Sequence, residues 1–398
     1  MSPDLPLGGE ARPAPAPKED DLVFLGSSAP TLGVELEMQI LDRESGDLAP
    51  GAVPILKMCA EEKIDGVAAE LMQSMIEVKR GICRNVEEAR AQLLPTLRKV
   101  RIFASSLGYE LALGGTHPFH RSSASTVFPA ERYERIVERL AWLTYQRVVF
   151  GLHVHVGVPD GDLAIGVISL LVKYLPHLLA LSANSGFWQG VDTGLASGRV
   201  ALYGTLPHSG VPPHLSRWKD FRNYCMVMRD CKALASFKDI YWDIRPRPDF
   251  GTIEFRICDV PPTLNLTFAI VALTRCLVIA ALKLIKERPK MLRGDLRRHW
   301  IAGENKWLAT RYGLNAMYIR TPAGKRRLLK NDLSELIDKM IPIAKENGDF
   351  PFLAPIQNLN TFESGSDQLR ALFRSNGNWK GLTDHVVRRF ADELDSLK

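Results

Sequence analysis

Glu35 and Glu37 stand two residues apart in Thr31-Leu-Gly-Val-Glu35-Leu-Glu37-Met-Gln39-Ile40. Read as a β-strand, this segment puts two carboxylates and an amide on one face and Val34, Leu36, Met38 and Ile40 on the other. Carboxylates held side by side repel one another unless a cation or a proton lies between them, so the pattern asks for a divalent metal with oxygen ligands. A single Glu-x-Glu strand is more often the solvated face of an antiparallel sheet. Here the pattern recurs. In Glu70-Leu-Met-Gln73-Ser-Met75-Ile-Glu77-Val-Lys79, the residues Gln73, Met75, Glu77 and Lys79 share one strand face, with Glu70 in a turn or bulge leading into it. Gly151-Leu-His153-Val-His155-Val-Gly157-Val158 sets both histidines on one side. Phe250-Gly-Thr252-Ile-Glu254-Phe-Arg256-Ile-Cys258-Asp259 aligns Thr252, Glu254 and Arg256.

Glu35, Glu37, Glu70, Glu77 and Glu254 with one or both histidines form a hard, oxygen-rich set that suits Mg²⁺ or Mn²⁺ better than zinc. Such ions beside an arginine are an arrangement that binds polyphosphates and stabilises a phosphoryl group in transfer. Either histidine alone reads as a hydrogen-bonded residue of a half-buried strand. Together with Glu254-x-Arg256 and the acidic strands, the metal reading moves ahead.

Four strands with active residues on one side and aliphatic or aromatic residues on the other imply a sheet with one polar and one apolar face. The spacing predicts strands over 31–41, 73–79, 109–114 and 151–158 and a hairpin over 240–258. Helices are expected over about 51–63, from Asn85 as N-cap to 107 with Pro95 inside, and over 131–148, 163–183 and 216–236, with a mainly helical chain from Leu264. An antiparallel sheet with segregated helices is α+β. The apolar runs 163–183 and 264–285 contain Lys173, Pro176 and His177, and Asn265 and Arg275, so both read as buried helices on the apolar face of the sheet. Asp249-Phe250-Gly251 spells a kinase tripeptide without the other kinase segments and reads as a turn. No P-loop or dinucleotide fingerprint occurs, so any ATP must be held otherwise.

The chain has 398 residues, 46% of them hydrophobic and 24% charged, which gives room for a large core. Residues 1–21, rich in Pro and Ala, read as a disordered tail with no signal or transit pattern, and 22–398 as a single catalytic domain in the cytoplasm. Six cysteines without a paired spacing are expected to be reduced. A net charge of +6 is modest for this length, and the basic clusters at 245–247, 293–299 and 325–327 lack interleaved aromatics. Nucleic-acid and membrane partners are therefore not expected.

Five segments taken in order carry a resemblance: Gly33-Val-Glu35-Leu-Glu37-Met-Gln39, Gly114-Gly-Thr116-His117-Pro-Phe119, Gly151-Leu-His153-Val-His155-Val-Gly157, Tyr241-Trp-Asp243-Ile-Arg245-Pro and Phe250-Gly-Thr-Ile-Glu254-Phe-Arg256. The chain resembles the YbdK-type carboxylate-amine ligases, the type 2 glutamate–cysteine ligase family, from about Thr31 to His385. The resemblance implies a glutamine-synthetase-like catalytic domain, a curved and mainly antiparallel sheet with metal ions between ATP and an amino-acid substrate. It implies ATP-dependent amide formation through an acyl phosphate, with amino-acid-like carboxylate and amine substrates and glutamate and cysteine as the default pair; a homodimer is left open. By the same resemblance, Glu35, His153 and Glu254 hold the metal nearest the ATP phosphates, and Glu37, Glu77 and Glu70 the one nearer the substrate. His155 is placed at the nucleotide, and Arg256 acts on the transferring phosphoryl group or forms only a salt bridge. Arg199 resembles a family arginine that meets an α-carboxylate, or is an exposed loop residue. Thr116 and His117, at a Gly-Gly break, either approach a ligand or build a turn. Two rivals are a metal-dependent hydrolase using the His-x-His strand and a catalytically silent metabolite-binding relative.

Overall fold

The computed structural model describes residues 22–289 and 296–397. The expected tail, residues 1–21, and part of the basic cluster at 293–299 lie outside the described residues. Seven strands form the main sheet: β1 (Leu32–Asp42), β2 (Val67–Ala69), β3 (Met75–Cys83), β4 (Tyr109–Ala112), β5 (Gly151–Gly157), β6 (Ile244–Arg247) and β7 (Thr252–Asp259). Their order is β6-β7-β5-β1-β3-β2, with β4 on the far end of β1, and every pairing within the sheet is antiparallel. The fold is α+β.

The alternation that defines the polar face also defines the core. Val34, Leu36, Met38, Ile40, Val154, Val156, Ile253 and Phe255 are all buried in one cluster. Each such aliphatic side chain contributes about 1.5–3 kcal/mol on leaving water. The Leu264–Glu287 helix packs against β5 and against the Val86–Ser106 helix. It starts where Thr263 accepts from the Leu266 amide at 3.2 Å. Asn85 caps the Val86–Ser106 helix in the same way, through the Glu88 amide at 2.9 Å. Leu264–Glu287 and Gly161–Ser182 are long and apolar enough to cross a membrane, but most of each is buried inside this fold. Arg275, mid-helix, is buried with its charge met by Asp349 and its remaining donors by the Pro30 and Arg84 carbonyls.

Several expected elements are broken where the backbone requires it. The 131–148 helix is two pieces, Glu131–Leu140 and Trp142–Tyr145, separated by Ala141 at φ 47°, ψ −126°, a conformation L-residues rarely adopt. The 163–183 helix is Gly161–Leu171 and Leu175–Ser182, joined by a 3₁₀ turn, with Pro176 in the first turn of the second piece, where its missing N–H costs nothing. Within 240–258 only β6 and β7 form the sheet hairpin. Tyr241–Trp242 instead pairs in parallel with Ser209–Gly210. Asp249-Phe250-Gly251 is a turn, with Gly251 at φ +65°.

One irregularity positions chemistry. Between Phe255 and Cys258, β7 advances three residues while β5 advances two, which is a β-bulge at Arg256 and Ile257. The Arg256 amide there turns to the Asp243 carbonyl at 2.8 Å.

Candidate active site

Register brings the polar residues into rows across the sheet. Glu37 stands opposite Glu77, and Glu35 opposite both Lys79 and His153. In the next row His155 stands opposite Glu254, which in turn faces Arg245. Glu35, Glu37, Glu70, Glu77, Lys79 and His153 line a cleft of about 310 Å³. A larger cavity of about 460 Å³ beside Trp218 has none of these residues.

Glu35 is the hub. Its Oε2 lies 3.1 Å from His153 Nδ1 and its Oε1 lies 3.2 Å from His155 Nε2. Two groups have ligand atoms close enough to share an ion: Glu35, Glu77 and His153, and Glu35, His155 and Glu254. These proximities differ from the expected partition, in which His153 joined Glu254: the register sets His155 opposite Glu254 and His153 opposite Glu35, and His153 comes within shared-ligand range of Glu77. Glu70, in the turn after β2, lines the cleft but belongs to neither group, and Glu37 lies 3.8 Å from His153 Nε2. The donor set fits a cation. Each imidazole has its Nδ1 engaged, by Glu35 in His153 and by Thr252 in His155, whereas both Nε2 atoms are buried facing carboxylate oxygens, at 3.8 Å from Glu37 and 3.2 Å from Glu35, without a well-formed hydrogen bond. That is the state in which histidine ligates a metal.

The charges are unevenly balanced. Burial pushes Glu254 up, but Arg245, Arg256, His155 and Arg247 outweigh it and hold the carboxyl well below the usual range. Its oxygens are taken up by Arg245 at 2.7 Å, Arg247 at 3.2 Å and Arg256. Burial also raises Glu35, and its two histidines bring it well below normal. At the other end burial and Glu35 push Glu77 up despite Lys79 at 2.7 Å. Burial, with Glu77 and Glu37, pushes Glu70 well above the usual range.

A basic and aromatic wall faces this floor, and sequence reasoning missed most of it. Arg256 binds Glu254 through Nη1 and donates through Nη2 to the Tyr203 hydroxyl at 2.9 Å. Arg199 is neither exposed nor on a loop. It is buried on the short Gly198–Tyr203 helix, and its guanidinium donates to the carbonyls of Arg256 at 3.2 Å and Ile257 at 3.4 Å, which the bulge has freed from the ladder. Gly151 makes this possible, because a Cβ there would collide with Arg199 Nη2. The Gly151 amide meanwhile donates to Glu37. Arg147, just before β5, also lines the cleft, with Tyr133, Tyr203 and Tyr241. Its one sequence signal is its place at the entry of the His-x-His strand.

Thr116 and His117 do not line the cleft. Thr116 donates to the Phe187 carbonyl at 2.8 Å, and both ring nitrogens of buried His117 are engaged, by the Gly46 carbonyl and the His120 amide. They therefore build a turn, the second of the two readings. Asp243 and Arg245 do not pair with each other: Asp243 takes Lys306 and Arg245 takes Glu254.

The profile of glutamate–cysteine ligase family 2 (GCS2) matches residues 31–389. A protein of Thermobifida fusca, provisionally named glutamate–cysteine ligase 2, is 38% identical over 372 residues, 92% of each chain. One of Bdellovibrio bacteriovorus with the same provisional name is 35% identical, over 95% of this chain and 99% of its own. Among solved structures, glutamate–cysteine ligase from Francisella tularensis in complex with AMP superposes with a TM-score of 0.69 at 13% identity, covering 94% of this chain and 91% of that one, a likeness of fold. This chain, with its acid floor and arginine wall, belongs to glutamate–cysteine ligase family 2, a family of carboxylate-amine ligases.

Proposed function

We propose that the protein uses ATP to join a carboxylate to an amine through an acyl phosphate, with glutamate and cysteine as the first substrates to test. The observation that carries this reading is the pair of imidazoles on either side of Glu35, each with a buried Nε2 that faces a carboxylate oxygen without a well-formed hydrogen bond, in a floor faced by Arg256. Glu35, His155 and Glu254 would hold one Mg²⁺ or Mn²⁺, and Glu35, Glu77 and His153 a second, with Glu37 and Glu70 in reserve. Such ions neutralise polyphosphate and carboxylate charge that would otherwise repel. The chain's own residues do the rest. Arg256, fixed by Tyr203 and Glu254, aims its guanidinium at the γ-phosphoryl group as a substrate carboxylate oxygen attacks phosphorus and the bond to ADP breaks. The amine then attacks the acyl carbon, loses a proton, and expels phosphate carrying that substrate oxygen.

The test is isotopic. With an ¹⁸O-labelled carboxylate substrate, one label should appear in the released phosphate, and ADP should form only when ATP, carboxylate and divalent cation are present. Unlabelled phosphate, or ADP formed equally with a chelator, would refute the mechanism. The hydrolase reading gains nothing from the structure, because none of the further histidines, His177, His208 and His214, lines the cleft; His177 pairs with Asp332 and His208 with Tyr224.

A further inference from the structure

Asp259 ends β7 and is fully buried. Among the described residues no ion pair meets its charge, and Arg199 acts on it only through space. Burial pushes the carboxyl up, and three donors oppose that by favouring the charged form. The Asn184 amide at 2.8 Å and the Ser185 hydroxyl at 2.6 Å meet one oxygen, and the Ser197 hydroxyl at 2.8 Å meets the other. An ionised carboxylate only accepts, so it fixes the direction of both hydroxyl protons. Each hydroxyl oxygen is thereby left to accept in turn: Ser185 Oγ from the Arg199 amide at 3.0 Å, and Ser197 Oγ from the Val200 amide at 3.4 Å. Those amides open the Gly198–Tyr203 helix, which is too short to be stable by itself and depends on such caps. The helix carries Arg199, which donates to the Arg256 and Ile257 carbonyls, and Tyr203, whose hydroxyl accepts from Arg256. The chain of contacts thus leaves β7 at its end and returns to it at the bulge.

We infer that Asp259 is a positioning residue for the phosphoryl step: through the Ser185 and Ser197 hydroxyls it sets the helix from which Tyr203 and Arg199 hold Arg256. This rests on the ligase reading above. Asp259 does not line the cleft, so its influence on turnover has to pass through Tyr203 and Arg199. Binding of nucleotide and carboxylate should not feel it. What the helix controls is the aim of a guanidinium, and a displacement of about 1 Å in such a group can cost on the order of 10²-fold in rate.

The experiment uses Asp259→Asn, which keeps the shape but turns an amide N–H₂ toward a hydroxyl that now donates. With L-glutamate as the carboxylate, kcat should fall by about 10-fold, the loss expected for hydrogen bonds to a charged group. KM for L-glutamate and Kd for Mg²⁺-ATP should stay within about twofold. The decisive arm repeats the substitution in a Tyr203→Phe background, where the route to Arg256 is already cut. There Asp259→Asn should cost no more than about threefold further, because groups that act through one another are not additive. Full additivity with Tyr203→Phe, an effect on KM alone, or an unchanged kcat would overturn the inference. Ser197→Ala, which removes one of the two linking hydroxyls, carries the same cycle if Asp259→Asn does not fold. Hydrogen exchange over residues 198–203, read by mass spectrometry without nucleotide, keeps the two readings apart, and it should be faster by about 10-fold in Asp259→Asn. Faster exchange in a protein whose wild type forms no ADP overturns only the ligase reading; wild-type turnover with exchange and kcat indifferent to Asp259 overturns only this assignment.

Discussion

The two ends of the acid floor solve the same electrostatic problem in opposite ways. Glu254 is fully buried, yet three arginines meet its charge, so this end is balanced in charge before any ligand arrives. Glu77 is buried opposite Glu37 and near Glu35, with Lys79 its sole ion-pair partner among the described residues, so this end is electrostatically unfinished. One end is a preformed scaffold that aims Arg256. The other stores repulsion that a bound cation would relieve.

Breaking the finished end should have the largest effect. Glu254→Gln leaves three buried guanidiniums facing a neutral amide, and removing one partner of a buried pair costs about 3–5 kcal/mol. We expect a clearly lowered melting temperature together with loss of ADP formation by on the order of 10³-fold or more. An unchanged melting temperature would mean that Glu254 does not hold the three arginines in place. Arg256→Lys keeps charge and loses the planar fork, so kcat should fall on the order of 10²-fold with little change in Kd for Mg²⁺-ATP. If affinity falls in step with turnover, Arg256 belongs to nucleotide binding instead. Tyr203→Phe removes the hydroxyl that accepts from Arg256 and keeps the ring under it; kcat should drop by about 10-fold at unchanged KM. A KM effect without a kcat effect would remove Tyr203 from the positioning of Arg256.

The smallest effect tests the unfinished end. Glu254, held low, contributes stability above the unfolded carboxylate range that is lost as pH falls through its folded pKa. Glu77, held high, does the reverse: the native state binds its proton more tightly than the unfolded chain, so metal-free stability is lost as pH rises from about 4.5 through the folded pKa. Mg²⁺ should therefore raise the melting temperature more at pH 8 than at pH 5. Glu77→Gln should stabilise the metal-free protein by up to about 1 kcal/mol and flatten that pH dependence. Destabilisation by Glu77→Gln in a chelator would contradict the stored repulsion.

The sequence makes the polar faces legible because a period of two is a local property. It also shows Glu70 in the turn before its strand, the Asp249 turn and the burial of the two apolar helices. It does not show which strand lies beside which, and the neighbours of His153 and His155 follow from that order. The bulge at Arg256 has no signature in Glu-Phe-Arg-Ile, which alternates like a regular strand. Arg199 could be read as a carboxylate binder because nothing local announces two carbonyls freed from a ladder. Arg147 and the tyrosines come from a loop, two helices and the short Tyr241–Trp242 strand, whose convergence is purely tertiary. Ala141 breaks the expected 131–148 helix although alanine is itself a strong helix former.

Gly151 adopts an ordinary backbone conformation, so flexibility is not what the position demands; it demands room. Its empty side holds the guanidinium that plugs the bulge, and the bulge presents Arg256. Position 151 therefore admits a side chain only if the Arg199 guanidinium gives way, although it contributes no side-chain group. In a saturation mutagenesis screen it should score like a member of the reaction centre, and a substitution as small as alanine should register as a catalytic defect in a protein that still folds.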